Sequence, residues 1–361
     1  MREWARFWKN ARRSSRINKS IDDWVAQKIG APTKTKLTRE ALEAWQLDKL
    51  CETVERALSF SSFYREKYSH MKSFSGSVKS LEGISRLPFT TPEELKVHGP
   101  RMVCVPASAV SRIVTLQTSG TTSLPKRVWF TEEDQELMID YVHHGLPLMT
   151  GPGDVFLVLM PCERPGSIGD LVAIGVERIG SRAVRVGPIP KDGSRDEEIL
   201  GIMRDEGVTT GLATSSTAAR LALKSEGDAL IRNKMRTLLL TAQYVSDSDR
   251  DIVEKNWSCK VYEHYGMTEM GLGGAMACIE QTGYHPREAD LLFEIIDPDT
   301  GEVLPEGIYG EIVFTTLTRQ AMPFIRYRTG DFSRWLPGAC GCGSVLKRLG
   351  RVHDRIEEKP Y

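Results

Sequence analysis

Three short segments hold residue types that could do chemistry together. In Leu116-Gln-Thr-Ser-Gly-Thr-Thr-Ser-Leu-Pro-Lys-Arg127, hydroxyls at Thr118, Ser119, Thr121 and Thr122 surround Gly120, and Lys126 follows. Such a turn offers backbone N–H groups and side-chain donors with no carboxylate to repel an anion, which is what a polyphosphate needs. It is not a Walker loop, because the Gly-x4-Gly-Lys-Ser/Thr spacing is absent. Taken alone, it also reads as a solvated Ser/Thr turn. The second segment, Tyr262-Glu-His-Tyr-Gly-Met-Thr-Glu-Met270, packs Tyr265, Gly266, Thr268 and Glu269 into five residues. That set suits stacking a base, approaching a phosphate closely and holding a divalent cation. The third, Ile325-Arg-Tyr-Arg-Thr-Gly-Asp331, ends in an acid after a glycine turn, and Asp331 could accept two hydrogen bonds from a ribose diol. Each has a structural alternative: a buried tyrosine at a strand end, or an Arg–Asp surface pair.

A fourth set is built from thiols. Cys340-Gly-Cys342-Gly343 is a tight pair, and Cys278 and His285 precede it by some sixty residues. Three thiolates and an imidazole would fit a closed tetrahedral zinc site with a structural role. The alternative is four reduced residues sharing no ligand. Cys51, Cys104, Cys162 and Cys259 read as small buried hydrophobes. Seven cysteines, an odd number with no secretory signal, point to reduced thiols and a cytoplasmic location.

These residues must be positioned by regular elements. Residues 39–58 have apolar positions at helical spacing, and Thr91-Pro-Glu-Glu94 reads as a capped helix start. From residue 112, predicted strands (112–117, 155–160, 182–187, 208–213, 236–241, 260–264) alternate with helices near 131–146, 168–179, 195–206, 214–225 and 246–257. Thr131-Glu-Glu-Asp134 could cap the first of these helices, and Gly180 and Gly207 fall where two should stop. The alternation predicts an α/β fold, a parallel or mixed sheet covered by helices. After residue 290, Phe293–Ile296, a turn at 297–301 and Glu302–Leu304 read as a β-hairpin, with another strand at 311–315. The expected organisation is a helical segment over 1–100, an α/β nucleotide-binding body over 101–285, a smaller β-rich subdomain over 286–350 and a hinge stub over 351–361.

Acidic and basic residues balance at 48 each, so no global field points to nucleic acid or an anionic membrane. The first twenty residues are locally basic, with Arg2, Arg6, Lys9, Arg12, Arg13, Arg16 and Lys19, and read as a surface helix. No apolar run approaches a membrane span.

In this order and at these separations, the three motifs resemble those of the adenylate-forming superfamily of acyl-CoA synthetases, adenylation domains and luciferases. The match is to its phosphate loop, its Tyr-Gly-x-Thr-Glu motif and its Tyr-Arg-Thr-Gly-Asp motif. Gly310-Glu-Ile-Val-Phe-Thr-Thr-Leu-Thr318, Ala321–Asp331 and Gly283-Tyr-His285 bring it closest to the phenylacetate-CoA ligase branch. The resemblance runs from about Ser59 to Arg355. It implies the large N-terminal domain of that superfamily, helix-flanked mixed sheets with a small β-barrel-like subdomain. By the same resemblance, Ser119, Gly120, Thr121, Thr122 and Lys126 would wrap the β- and γ-phosphates of ATP. Tyr265, in the run His264–Met267, would lie against adenine with Ala242 and Gln243. Thr268 would contact the α-phosphate, Glu269 would bind Mg²⁺, and Asp331 and Arg351 would hold the ribose. Some members of the branch carry a zinc site like the cluster above. The implied reaction joins a carboxylate to AMP and then to the thiol of CoA.

Ser123 replaces the last glycine of the phosphate loop, Gln243 stands where relatives usually have glutamate, and His353 occupies the hinge aspartate's position. The family continues for roughly a hundred residues as a mobile lid with a catalytic lysine, whereas this chain stops at Tyr361. The expectation is nucleotide binding, with adenylation weak or dependent on a partner. Three readings stay open: a CoA ligase, an enzyme loading a carrier or partner protein, and a non-catalytic nucleotide-binding protein. The acid pocket is expected from Met160–Gly169, Gly211–Ser216 and around Tyr244. Family analogy adds a homodimer.

Overall fold

The computed structural model describes residues 19–32, 35–69, 80–116 and 124–353. The basic run over 2–16, the phosphate-loop residues Thr118, Ser119, Gly120, Thr121, Thr122 and Ser123, and the chain after His353 lie outside the described residues.

Four helices lead: α1 (Lys19–Lys28), α2 (Arg39–Phe60), α3 (Ser62–Lys67) and α4 (Pro92–Met102). The expected start of α4 is a complete capping box, with Thr91 and Glu94 each bonding the other's backbone. A hairpin follows, β1 (Arg112–Leu116) against β2 (Lys126–Phe130), antiparallel with Leu116 opposite Lys126. This corrects one expectation. The strand predicted over 112–117 does not join the alternating sheet: among the described residues Arg112–Leu116 pairs only with β2.

The alternating part is α5 (Glu132–Gly145), β3 (Val155–Val158), α6 (Ile168–Ile179), β4 (Arg182–Arg185), α7 (Asp196–Asp205), β5 (Thr210–Ala213), α8 (Ser215–Lys224), α9 (Ala229–Arg232), β6 (Thr237–Leu240), α10 (Asp247–Trp257) and β7 (Lys260–Tyr265). Thr131 and Asp134 form the capping box of α5, and Gly180 ends α6 in the left-handed conformation. Two short strands, β8 (Ala275–Ala277) and β9 (Tyr284–Pro286), extend the sheet antiparallel, giving the order β4-β3-β5-β6-β7-β8-β9. Strand side chains alternate between faces, so one sheet feeds two cores. Phe156, Val158, Leu212, Leu239 and Tyr262 belong to the core that includes α5 and α6. Leu157, Leu159, Leu238, Leu240 and Val261 belong to the core of α7, α8 and α10.

The β-rich part is a three-stranded antiparallel sheet of β10 (Leu291–Ile296), β11 (Gly310–Thr316) and β12 (Tyr327–Ser333). Here a second expectation changes. The 302–304 arm is reduced to one bridge, Ile296 with Val303, and β10 takes β11 as its full partner. The reason is packing. Val303 is half exposed, whereas Ile312, Val313 and Phe314 are fully buried. The buried Arg326–Glu294 pair ties the link before β12 to β10, with Nη2–Oε1 at 2.9 Å. Cys104 and Cys259 are buried as expected, but Cys51 is exposed and Cys162 only half buried. Among the described residues no helix is long and apolar enough to cross a membrane.

Candidate active site

The hairpin, the end of β7 and strand β12 meet at one cleft. Lys126, at the start of β2, donates to Glu269 Oε1 at 2.5 Å, and the Tyr327 hydroxyl donates to the same oxygen at 3.0 Å. The Glu269 side chain is only 1 % exposed, so its charge depends on these two donors. One turn earlier on the chain, the Tyr265 hydroxyl donates to Asp331 Oδ2 at 2.8 Å. Burial and the neighbouring Asp331 carboxylate push the Tyr265 phenol well above its ordinary range, so it stays a donor. All three separated motifs are therefore interlocked by side-chain bonds.

Local sequence explains the shape. The chain turns back after Gly266, and a Cβ there would lie 2.2 Å from the carbonyl oxygen of Leu272, so only glycine fits. Gly330 takes φ +77°, which turns β12 so that Asp331 faces Tyr265. Thr268, Glu269 and Met270 form one 3₁₀ turn, which places Thr268 on the wall of the adjoining cavity. Arg319 fixes that turn from behind. It donates to the carbonyls of Glu269 (2.7 Å) and Trp129 (3.3 Å), joining the turn to β2. Burial among other groups pulls its pKa down to about 10.

The remaining expected nucleotide residues sit around the ends of β6 and β7. Ala242 adopts φ +64°, a left-handed conformation that strains a residue with a Cβ. Gln243 Oε1 accepts from Ser216 Oγ at 2.9 Å. His264 and Met267 face the cavity described next. Arg351 donates to Asp247 at 2.6 Å and to Glu263 at 3.3 Å, and Arg250 also pairs with Glu263.

Beside the cleft lies a cavity of about 190 Å³. Of the expected acid-pocket stretches, Met160, Ile168 and Leu212 line it; Tyr244 does not, being exposed beside His353. Sequence reasoning missed the wall supplied by α5, namely Met138, Tyr141 and Val142, with Leu146 just beyond its end. Their spacing was visible, but it marks any buried helix face. Tyr327 and Arg319 were missed too. Tyr327 stood inside a quoted motif, and Arg319 had no local signal.

The Cys/His set also assembles. The ligand atoms of Cys278, His285, Cys340 and Cys342 all lie within 4.8 Å of one another. Cys278 and Cys340 sulfurs are 3.6 Å apart, and Cys342 Sγ is 3.3 Å from His285 Nε2. Tetrahedral zinc with ordinary bond lengths would set such edges at about 3.5–3.8 Å, so the donors fit the ion. His285 Nδ1 bonds the Lys347 carbonyl at 3.0 Å, which leaves Nε2 facing the sulfurs.

The sequence pattern of the AMP-binding enzymes matches residues 42–318. The phenylacetate-coenzyme A ligase of Pseudomonas putida is 31 % identical over 88 % of this chain and 72 % of its own length. That of Thermus thermophilus is also 31 % identical, over 91 % of this chain and 73 % of its own length. A crystal structure of 2-hydroxyisobutyryl-CoA ligase with 2-HIB-AMP and CoA shares the fold, with TM-score 0.79 and 22 % identity over 89 % of this chain and 70 % of that one. With motif order, interlocked cleft and sequence kinship in agreement, the chain belongs to the AMP-binding, adenylate-forming enzyme family, among relatives of the phenylacetate-CoA ligases.

Proposed function

We propose that this chain activates a small carboxylic acid with ATP and passes the acyl group to CoA. The carrying observation is the interlock of Lys126, Glu269 and Tyr327 beside Tyr265–Asp331, beside a cavity sized for an acid tail. The acid's carboxylate oxygen attacks the α-phosphorus, pyrophosphate leaves, and a thiol then attacks the acyl carbon to release AMP. Both reactants of the first step are anions, so cationic and hydrogen-bonding groups must offset their repulsion. Lys126 with Ser119, Gly120, Thr121 and Thr122 holds the outer phosphates, and Thr268 donates to the α-phosphate. Tyr265, flanked by His264, Gly266 and Met267 and facing Ala242 and Gln243, bounds the adenine. Asp331 accepts from the ribose hydroxyls, with Arg351 beside them.

Glu269 supplies a hard oxygen donor for Mg²⁺, which when bound offsets phosphate charge. Cys278, His285, Cys340 and Cys342 would hold zinc in a structural role, which metal analysis of the purified chain and of Cys340→Ser tests. The division at residues 100, 285 and 350, a cytoplasmic location and a homodimer belong to the same reading.

AMP release with ATP, a carboxylate panel and CoA tests the assignment. Replacing CoA by a phosphopantetheine-bearing carrier protein tests the alternative acceptor. The assignment falls if no acid and no thiol elicits AMP and if ATP and AMP do not bind.

A further inference from the structure

The acid cavity is mostly apolar. Its lining includes Met138, Val142, Leu146, Met160, Leu212 and Met276, and among the described residues no lining residue is charged. Thr241, His264, Tyr141 and Thr268 break the pattern, and Thr241 Oγ1 and His264 Nδ1 share a 2.9 Å bond. Whichever of the two donates, the second ring nitrogen keeps one unmet role, as donor or acceptor. That atom, Nε2, is buried and meets no hydrogen-bonding partner among the described residues. The hydroxyl of Tyr141, a further lining residue whose ring centre lies 6.2 Å from that of His264, is likewise buried without a partner there. Two residues lining one cavity thus carry a buried polar atom with no partner among the described residues, and leaving such a group unmet costs about 1–3 kcal/mol. A pocket serving a purely hydrocarbon tail gains nothing from them.

Building on the ligase reading above, we infer that the cognate acid has a tail the size of one ring, bearing one uncharged hydrogen-bonding group that is met by His264 and Tyr141. Size sets the first half: a cavity of about 150 Å³ takes benzene, and this one is about 190 Å³. The lack of a charged residue in the described lining sets the second, since a second carboxylate or an ammonium on the tail would be buried with no partner there. Burial, with Arg287 nearby, lowers the His264 pKa to about 4, which keeps the ring neutral at physiological pH. A neutral imidazole and a phenol both suit a hydroxyl or carbonyl partner.

The test is binding of acyl-sulfamoyl-adenosine analogues to the whole chain by calorimetry, which requires no turnover. The probes are the phenylacetyl, 3-hydroxyphenylacetyl and 4-hydroxyphenylacetyl compounds, with AMP alone beside them. At least one hydroxylated analogue is expected to bind roughly tenfold or more tighter than the phenylacetyl compound, because an unmatched buried polar group loses about that much. In His264→Leu the ratio is expected to collapse towards one. Thr241→Val, which removes only the bond to Nδ1, is expected to reduce the ratio less. If AMP binds and the wild-type chain does not discriminate, or prefers the phenylacetyl compound, the inference is overturned while the ligase reading stands. If neither AMP nor any analogue binds, both are overturned.

Discussion

The cleft proposed for the nucleotide and the cavity proposed for the acid share the end of β7 yet are built on opposite principles. In the cleft each charged group has a named partner: Glu269 has Lys126 and Tyr327, and Asp331 has Tyr265. In the cavity most of the wall is hydrocarbon, and two of its polar residues, His264 and Tyr141, have atoms with no partner among the described residues. A reaction common to a family needs fixed charges at fixed places. A variable acid tail needs only volume, shape and one or two polar contacts. One strand serves both because its side chains alternate. Tyr265 turns to the cleft, and the preceding His264 turns to the cavity.

That contrast can be broken experimentally, beginning with the largest effect. Glu269→Gln keeps the shape but removes the charge facing Lys126. It is expected to lower the rate of acyl-adenylate formation by about 10²–10³, read by pyrophosphate exchange, while acid specificity stays put. A shift in acid preference without a rate loss would mean the cleft and cavity are not separable.

Met276→Ala acts on the other side. Met276 is buried in the wall between His264 on β7 and His285 on β9, opposite both in register. Truncation is expected to lower stability by about 2–3 kcal/mol, followed by urea unfolding, and to extend the accepted acids to bulkier ones. Nucleotide affinity should hardly change.

Asp331→Asn should weaken AMP binding by about tenfold, since a charge-assisted hydrogen bond becomes neutral; calorimetry with AMP reads it directly. An unchanged affinity would remove Asp331 from the ribose.

The smallest effect is in pH. His264 has its folded-state pKa lowered to about 4 from 6.5, by burial. Between those values the unfolded chain binds the proton and the folded chain does not, so this group makes stability fall as pH drops through that window. Replacing it by leucine should flatten the slope of stability against pH from 6.5 to 4. A slope unchanged by the substitution would show that the ring is not held neutral.

Legibility followed the same division. Lys126, Thr268, Glu269, Tyr265 and Asp331 were readable because each lies in a short motif whose composition has few other uses. The helix limits were readable from caps such as Thr131 with Asp134, which act over three residues. The cysteine set was visible as spacing, but only the fold could show that atoms some sixty residues apart lie within 4.8 Å. The α5 wall of the cavity was hidden, because Met138, Tyr141 and Val142 look like any buried helix face until something is seen across from them. The 302–304 arm keeps only a single bridge to β10, because a turn signal says that the chain reverses, not which strand it then prefers.

The chain's order of residues by itself determined the local devices: caps, glycine turns, alternating strands and the three motifs proposed to bind nucleotide. Each depends on groups a few residues apart, whose geometry the backbone sets directly. Only the tertiary structure decided what faces what. It set the hairpin apart from the sheet, put Arg319 behind the Glu269 turn, seated α5 across from β7 and left His264 Nε2 without a partner among the described residues. Contacts of that kind come from burying many apolar surfaces at once, a sum over the whole chain that no short window of sequence contains.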